Sequence, residues 1–264
     1  MAFFSNVIGA VRVLAFLAWT VLLLPLQVCA LLVRSPLSWR IPRLYHQGNC
    51  FLLGLKVVEH GVSDKSPAVL FVSNHSSYLD IIVLATLTEA CFVSKFEVAS
   101  WPVFGVLAKL NHTVFVKRKV RESGEKLGEM KDRLRQGQRL ILFPEGTSSD
   151  GNRVLPFNST FFAAGDAECD GSPVKVQPVA IAYTKLWGLP LGRGCRPARA
   201  WYGDMNLAGH LWSVFKSGPT DVEVAFLPCV TLCDFASRKE LAKSCEGAVA
   251  SALSKMIKGH SGEG

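Results

Sequence analysis

Residues 68–87 read AVLFVSNHSSYLDIIVLATL, and this stretch decides the fold. Ala68–Val72 is a short apolar run, sharply enough bounded to be a buried strand. Asn74, Ser76 and Ser77 follow it, and such side chains cap the free N–H groups at a helix start. Leu79–Leu87 is then apolar over a helical length. A strand feeding a helix through a polar turn is the repeating unit of α/β proteins. Outward from this unit, strand-like runs stand at Cys91–Val93, Thr113–Val116, Leu140–Phe143, Val174–Tyr183 and Val222–Leu227. Helices are expected between them at Val98–Leu110 and, charged and amphipathic, at Gly124–Arg135. A last helix is expected from Ser237 to Ile257, with Ser237 and Glu240 spaced as a capping box. The alternation predicts an α/β fold with a mixed central sheet flanked by helices.

The N-terminal segment is different. Val13–Val33 carries no charge over 21 residues, long enough for one membrane-spanning helix. Pro25 is a candidate kink and Gln27 its one strongly polar interruption. Arg34, Arg40 and Arg43 follow, a basic flank that favours the cytoplasmic side. Val28-Cys29-Ala30 loosely fits a signal-peptide cleavage site, but the apolar run exceeds the usual signal-peptide core. The further apolar stretch Cys50–Val58 makes a helix hairpin that enters one leaflet and returns an alternative to a single span. The expected division is a membrane-anchoring segment at 1–58 and an α/β domain at 59–264.

Composition agrees with a lipid partner. Charged residues are only 19% of the 264, and the mean hydropathy is +0.26. The net charge of +8 is unevenly spread, with a basic excess from Lys109 to Arg139, so an anionic partner is expected. Nucleic acid is a poor fit, because no recognition motif is visible and the apolar segment argues against it. The eight cysteines are scattered without a CxxC pair, which disfavours zinc and suits reduced thiols. No metal-ligand cluster is evident.

Four segments carry residues suited to chemistry, each at a predicted strand end, where α/β proteins build their sites. In the first, His75 and Asp80 are five apart, and on one helix they would lie about 140° apart. They meet only if His75 precedes the helix. Asp80 then fixes one imidazole nitrogen and leaves the other as a proton acceptor, the logic of a hydrolytic triad whose nucleophile is a substrate hydroxyl. A helix start with a structural histidine fits the same residues. The second, Val116-Lys117-Arg118-Lys119, suits a phosphate grip or a solvated charge run. The third is Phe143-Pro144-Glu145-Gly146-Thr147, in which Glu145 is a candidate acceptor from a substrate hydroxyl. Gly146 permits close backbone approach, and its N–H is a candidate oxyanion donor. The fourth is Val176-Gln177-Pro178-Val179, where Pro178 marks a strand start or bulge.

Together and in this order, Asn74-His75-Ser76…Asp80, Val116-Lys117-Arg118, Phe143–Thr147 and Val176–Val179 resemble the glycerolipid acyltransferase family, which includes the 1-acyl-glycerol-3-phosphate acyltransferases. The resemblance covers roughly residues 50–230. It implies His75 and Asp80 as catalytic residues, and Asn74, Lys117, Arg118, Glu145, Gly146 and Thr147 as substrate-binding ones. It implies acyl-CoA or an acyl carrier protein as donor, no cofactor, and a lysophospholipid acceptor drawn from membrane lipids. The expected location is a bacterial inner membrane with the catalytic domain on the cytoplasmic face. The first expected acceptor is 1-acyl-glycerol-3-phosphate, giving phosphatidic acid. The stretch Trp201-Tyr202-Gly203-Asp204-Met205 also looks like bacterial members, some of which acylate lyso-ornithine lipid, the alternative acceptor. One departure stands out: many relatives with a phosphate-bearing acceptor follow the Phe-Pro-Glu-Gly-Thr block with Arg, and Ser148 stands there instead. A hydrolase is the nearest enzymatic rival, but no GxSxG elbow is present. A non-catalytic lipid-binding protein is the other rival.

Overall fold

A computed structural model describes residues 2–116 and 123–259. Two helices open the chain, α1 (Ala2–Leu32) and α2 (Leu37–Leu53). Then come β1 (Leu55–His60), β2 (Val69–Ser73), α3 (Leu79–Leu87), β3 (Cys91–Lys95), α4 (Phe104–Leu110), β4 (Val114–Val116), α5 (Ser123–Arg135) and β5 (Leu140–Leu142). A small ribbon of β6 (Glu168–Cys169) and β7 (Ser172–Pro173) precedes the long β8 (Lys175–Leu186) and the short β9 (Leu189–Pro190). Helix α6 (Leu207–Lys216), β10 (Thr220–Phe226), β11 (Val230–Thr231) and α7 (Arg238–Ile257) complete it.

The main sheet runs β1-β10-β8-β2-β5-β3-β4. It is mixed, as expected: β8, β2, β5, β3 and β4 are parallel neighbours, whereas β10 is antiparallel to β8. Every residue of β2 is buried, which is why its sequence is an apolar run and not an alternation. Successive side chains still divide between two cores. Leu70 and Val72 pack with Met130, Leu134 and Leu241 on the α5/α7 face. Val69 and Phe71 pack with Leu53, Leu79, Val83 and Val214 on the α2/α3/α6 face.

Three local expectations are corrected. The helix expected over Val98–Leu110 is split into a 3-10 turn, Phe96–Ser100, and α4, because Pro102 intervenes and Val103 takes a positive φ of 63°. Pro178 lies inside β8 and does not start it. It sits where β10 gives way to β11 along the neighbouring edge, so its missing N–H interrupts no continuous ladder. Cys50–Val58 is no apolar limb: α2 ends there, Gly54 caps it at φ 68°, and β1 begins. The boundary expected at residues 58/59 falls inside β1, which pairs with β10 from Leu55 to His60. Ser237 caps α7 by accepting from the Glu240 N–H.

Helices α1 and α2 form a hairpin turned at residues 33–36. α1 runs unbroken through Pro25 and is long and apolar enough to cross a membrane. One side of it touches the rest of the chain along its length. Arg12 donates to the Phe215 and Ser217 carbonyls, Phe16 packs edge-on against Phe215, and Trp19 Nε1 donates to the Tyr45 carbonyl. Gln27, the polar interruption, is buried and donates to the carbonyls of Ser38 and Leu110. The other side, including Phe4, Val11, Leu14, Val21 and Leu22, is exposed.

The helices approach most closely where Gly48 faces Trp19, and a Cβ there would lie 2.3 Å from the indole nitrogen. Gly48→Ala is therefore expected to displace Trp19 from its Tyr45 bond and to destabilise the hairpin by about 1–3 kcal/mol, the usual cost of overpacking. Thermal melting of the full chain in detergent measures it. An unchanged melting temperature would contradict this packing.

Candidate active site

The site begins where β2 ends. Asn74 is buried, and its carboxamide grips one peptide of β8: Nδ2 donates to the Ile181 carbonyl at 3.0 Å, and Oδ1 accepts from the Ile181 N–H at 2.9 Å. Asn74 thus clamps the loop to the sheet. His75 lies in that loop, before the helix, as the spacing requires. Its Nδ1 is 2.9 Å from Asp80 Oδ2, and its ring stacks on Phe143 with centroids 4.1 Å apart.

Asp80 is fully buried in the first turn of α3. Oδ2 accepts from the Ser76 N–H at 2.7 Å and the Ser77 N–H at 2.9 Å, and Oδ1 accepts from the Tyr183 hydroxyl at 2.7 Å. A buried carboxylate is tolerated only when so satisfied. With Asp80 ionised, the imidazole proton is drawn to Nδ1, and Nε2 faces outward as the acceptor. The His75 side chain is 20% exposed, so a substrate can reach it.

The Phe143–Thr147 block lies against this loop. Glu145 Oε1 accepts from the His75 N–H at 3.1 Å, and the His75 carbonyl accepts from the Ser149 N–H at 2.9 Å. Both faces of the His75 peptide are thereby fixed. Burial raises the Glu145 carboxyl to about 8, against the pull of backbone N–H donors from His75 and Leu155. Its Oε2 is buried without a partner. Gly146 adopts φ 65°, and its N–H donates to the Phe143 carbonyl at 3.1 Å. Thr147 is exposed. Ser148, the departure from the family pattern, donates through its hydroxyl to the Trp201 carbonyl, and the Trp201 N–H donates to the Ser76 carbonyl at 2.8 Å. The serine thus ties the Trp201–Met205 stretch to the catalytic loop. Lys117 and Arg118 lie outside the described residues. Among the described residues, no group of three or more His, Cys, Asp or Glu side chains is arranged to hold a metal.

Sequence reasoning missed Tyr183 and Trp201 as site residues. The first was within reach: Tyr183 shares the two-residue period of Val179 and Ile181 on β8, so all three face the α3 side.

A histidine paired with a buried carboxylate stands at the carboxyl end of a parallel strand, joined to a Pro-Glu-Gly-Thr loop, and the chain that carries it belongs to the acyltransferase family, of the lysophospholipid type. The family model, described as Acyltransferase, matches residues 55–182. The lyso-ornithine lipid O-acyltransferase of Rhizobium meliloti is 40% identical over 247 residues, 92% of this chain and 84% of that protein. The protein of the same name from Brucella abortus is 38% identical, covering 96% of this chain and 97% of its own. A 1-acyl-sn-glycerol-3-phosphate acyltransferase of Neisseria gonorrhoeae is 34% identical over 61% of this chain and 60% of its own. The fold is also that of the crystal structure of the 1-acyl-sn-glycerophosphate acyltransferase PlsC from Thermotoga maritima, with a TM-score of 0.57 and 24% identity over 82% of this chain and 78% of that one.

Two outcomes follow from the geometry. Tyr183→Phe removes a hydrogen bond to a charged group, worth about 1.5–3 kcal/mol. It is expected to lower kcat/KM by roughly tenfold to a hundredfold if that energy is expressed in the transition state. An unchanged kcat/KM would reduce Tyr183 to packing. For Glu145, the folded protein holds a proton between the ordinary 4.5 and about 8 that the unfolded chain has released. Stability therefore falls as pH rises through that window. Melting temperatures of Glu145→Gln across the same window should lose this slope; an equal slope in both proteins would show that Glu145 is not its source.

Proposed function

We propose that this chain moves a fatty acyl group from acyl-CoA or an acyl carrier protein to the free hydroxyl of lyso-ornithine lipid. The observation that carries the reaction is the His75–Asp80 pair, held so that Nε2 is free beside the Glu145 loop. Nε2 takes the hydroxyl proton as the oxygen attacks the thioester carbonyl. Asp80 stabilises the imidazolium that forms. Collapse of the tetrahedral intermediate breaks the carbon–sulfur bond, and the imidazolium returns its proton to the departing thiolate. The products are an ester and a free thiol, and no electron transfer calls for a cofactor.

The acceptor is argued from the relatives that match most of this chain's length, which are lyso-ornithine lipid enzymes. Ser148 supports this choice, because its hydroxyl is engaged by Trp201 where phosphate-acceptor relatives carry an arginine. Lysophosphatidic acid is the second reading, favoured by the shorter match to the Neisseria protein. For location, the hairpin is read as lying in one leaflet, since α1 keeps one side on the domain and offers the other to lipid. The basic residues after α1 support the cytoplasmic face of a bacterial inner membrane.

The test follows free thiol release from palmitoyl-CoA by the detergent-purified chain, with each acceptor in turn. Release that requires lyso-ornithine lipid, and that falls about 10²–10⁴-fold in His75→Ala, is expected. Release only with lysophosphatidic acid would overturn the acceptor and keep the mechanism. A His75→Ala variant with near-normal turnover would overturn the mechanism.

A further inference from the structure

Large apolar side chains are exposed at several places, singly at Val62, Trp187 and Leu189 and in runs elsewhere. Besides α1 and α2, they concentrate between β3 and β4: Phe96, Trp101, Val103, Phe104 and Val106 are 46, 38, 65, 38 and 54% exposed. Among the described residues, none of the large exposed apolar side chains lies on α5 or α7, which cover the opposite face. The 3-10 turn Phe96–Ser100 has no buried residue, and α4 has only Gly105. A fold gains nothing from holding five such side chains in water.

The segment is built, not loose. A Cβ on Gly105 would lie 2.5 Å from the Ala99 carbonyl oxygen, so the turn closes only around glycine. Val103, a β-branched residue, is held at φ 63°, a conformation costly for its type. The strained backbone holds an apolar side chain that is 65% exposed.

Position gives the segment meaning. It leaves the carboxyl end of β3, the same end of the parallel sheet from which β2 delivers His75. Trp101 packs edge-on against Trp201 at 6.1 Å, Trp201 packs against Tyr78 at 6.2 Å, and the Trp201 N–H holds the Ser76 carbonyl. The other end of α4 joins the hairpin, where Gln27 holds the Leu110 carbonyl and His112 stacks on Trp39 at 3.9 Å.

We propose that residues 96–106 are a second lipid-contacting surface, which seats the mouth of the active site in the bilayer so that the acceptor passes from the membrane to His75 without crossing water. The inference rests on the reading of the chain as an acyltransferase acting on a lipid hydroxyl. Its occupant is a lipid surface, because the end of α4 is bonded to the hairpin, whose outward side is apolar, and the patch is linked by aromatic rings to the loop that carries His75. The hairpin keeps the protein on the membrane, and this turn sets how the site meets it.

The experiment uses the full chain and the double variant Val103→Asn/Val106→Gln. Both positions are exposed, and asparagine tolerates positive φ, so the variant should fold with unchanged or higher melting temperature. Two acceptors with the same headgroup are compared, one short-chain and monomeric in water, the other long-chain and embedded in phosphatidylethanolamine/phosphatidylglycerol vesicles. The variant is expected to match the parent on the monomeric acceptor and to lose about tenfold or more on vesicles, the effect of removing apolar side chains from a lipid contact. It should still sediment with the vesicles through its hairpin. Equal loss on both acceptors, or none on either, would overturn the proposal. Hydrogen exchange gives a readout independent of turnover: vesicles should protect the amides of Trp101 and residues 103–106. Absent protection would overturn the surface even if the enzyme works, whereas protection without turnover would count against the acyl-transfer reading alone.

Discussion

The arrangement depends on keeping one carboxylate ionised where water does not reach. Asp80 is fully buried, and taking a bare carboxylate out of water costs several kcal/mol even after relaxation. Four donors and an imidazole offset that cost, and they come from two parts of the chain, the loop after β2 and the interior of β8. None of these can shift alone without leaving the charge short of a partner. The histidine inherits its orientation from this constraint, and the Glu145 and Ser149 contacts to its peptide extend the same rigidity to the opposite side of the cleft. Rigidity of this kind suits a base that must sit within hydrogen-bond reach of a hydroxyl before reaction begins.

The sheet separates two environments. On one face, α5 and α7 close a core with Leu70, Val72 and Leu134, and their outer surfaces are polar. On the other, the hairpin packs over α3 and α6 and leaves an apolar exterior. The catalytic loop opens at the end of the sheet, between the two. A lipid-handling enzyme needs this division, because its acceptor has one end in hydrocarbon and the other in water.

Much of the fold was legible in the sequence because buried strands write themselves as short apolar runs. Leu79–Leu87 forms the expected helix, and the six expected strands are present with shifted ends. What escaped was set by backbone geometry. The break at Pro102–Val103 is a turn with a strained residue; Pro102 marks it in the sequence, but the apolar run on either side reads as one helix. β1 was hidden because Leu55-Lys56-Val57-Val58 runs on from an apolar helix end, with only Gly54 between them. In the site, the spacing of His75 and Asp80 required only that His75 precede the helix if the two were to meet, and it was the family resemblance that pointed to them as a pair. The backbone bonds of Asn74 and Gly146 were not legible, because their partners are distant in sequence or hidden in a turn. Tyr183 lay in plain view on a strand, but only a three-dimensional register shows that its hydroxyl reaches a carboxylate 103 positions away.

That register carries a further meaning. β8 contributes Ile181 to the clamp on Asn74 and, two residues on, Tyr183 to Asp80, while β2 pairs with it through Val72 opposite Pro178 and Ser73 opposite Val179. A slip of one position would turn the tyrosine to the far side of the sheet and bring a different peptide to the asparagine. Such a chain would retain most of its apolar burial and none of its catalytic geometry. The alignment of two strands thus sets, in one step, both the peptide that Asn74 holds and the hydroxyl that reaches Asp80.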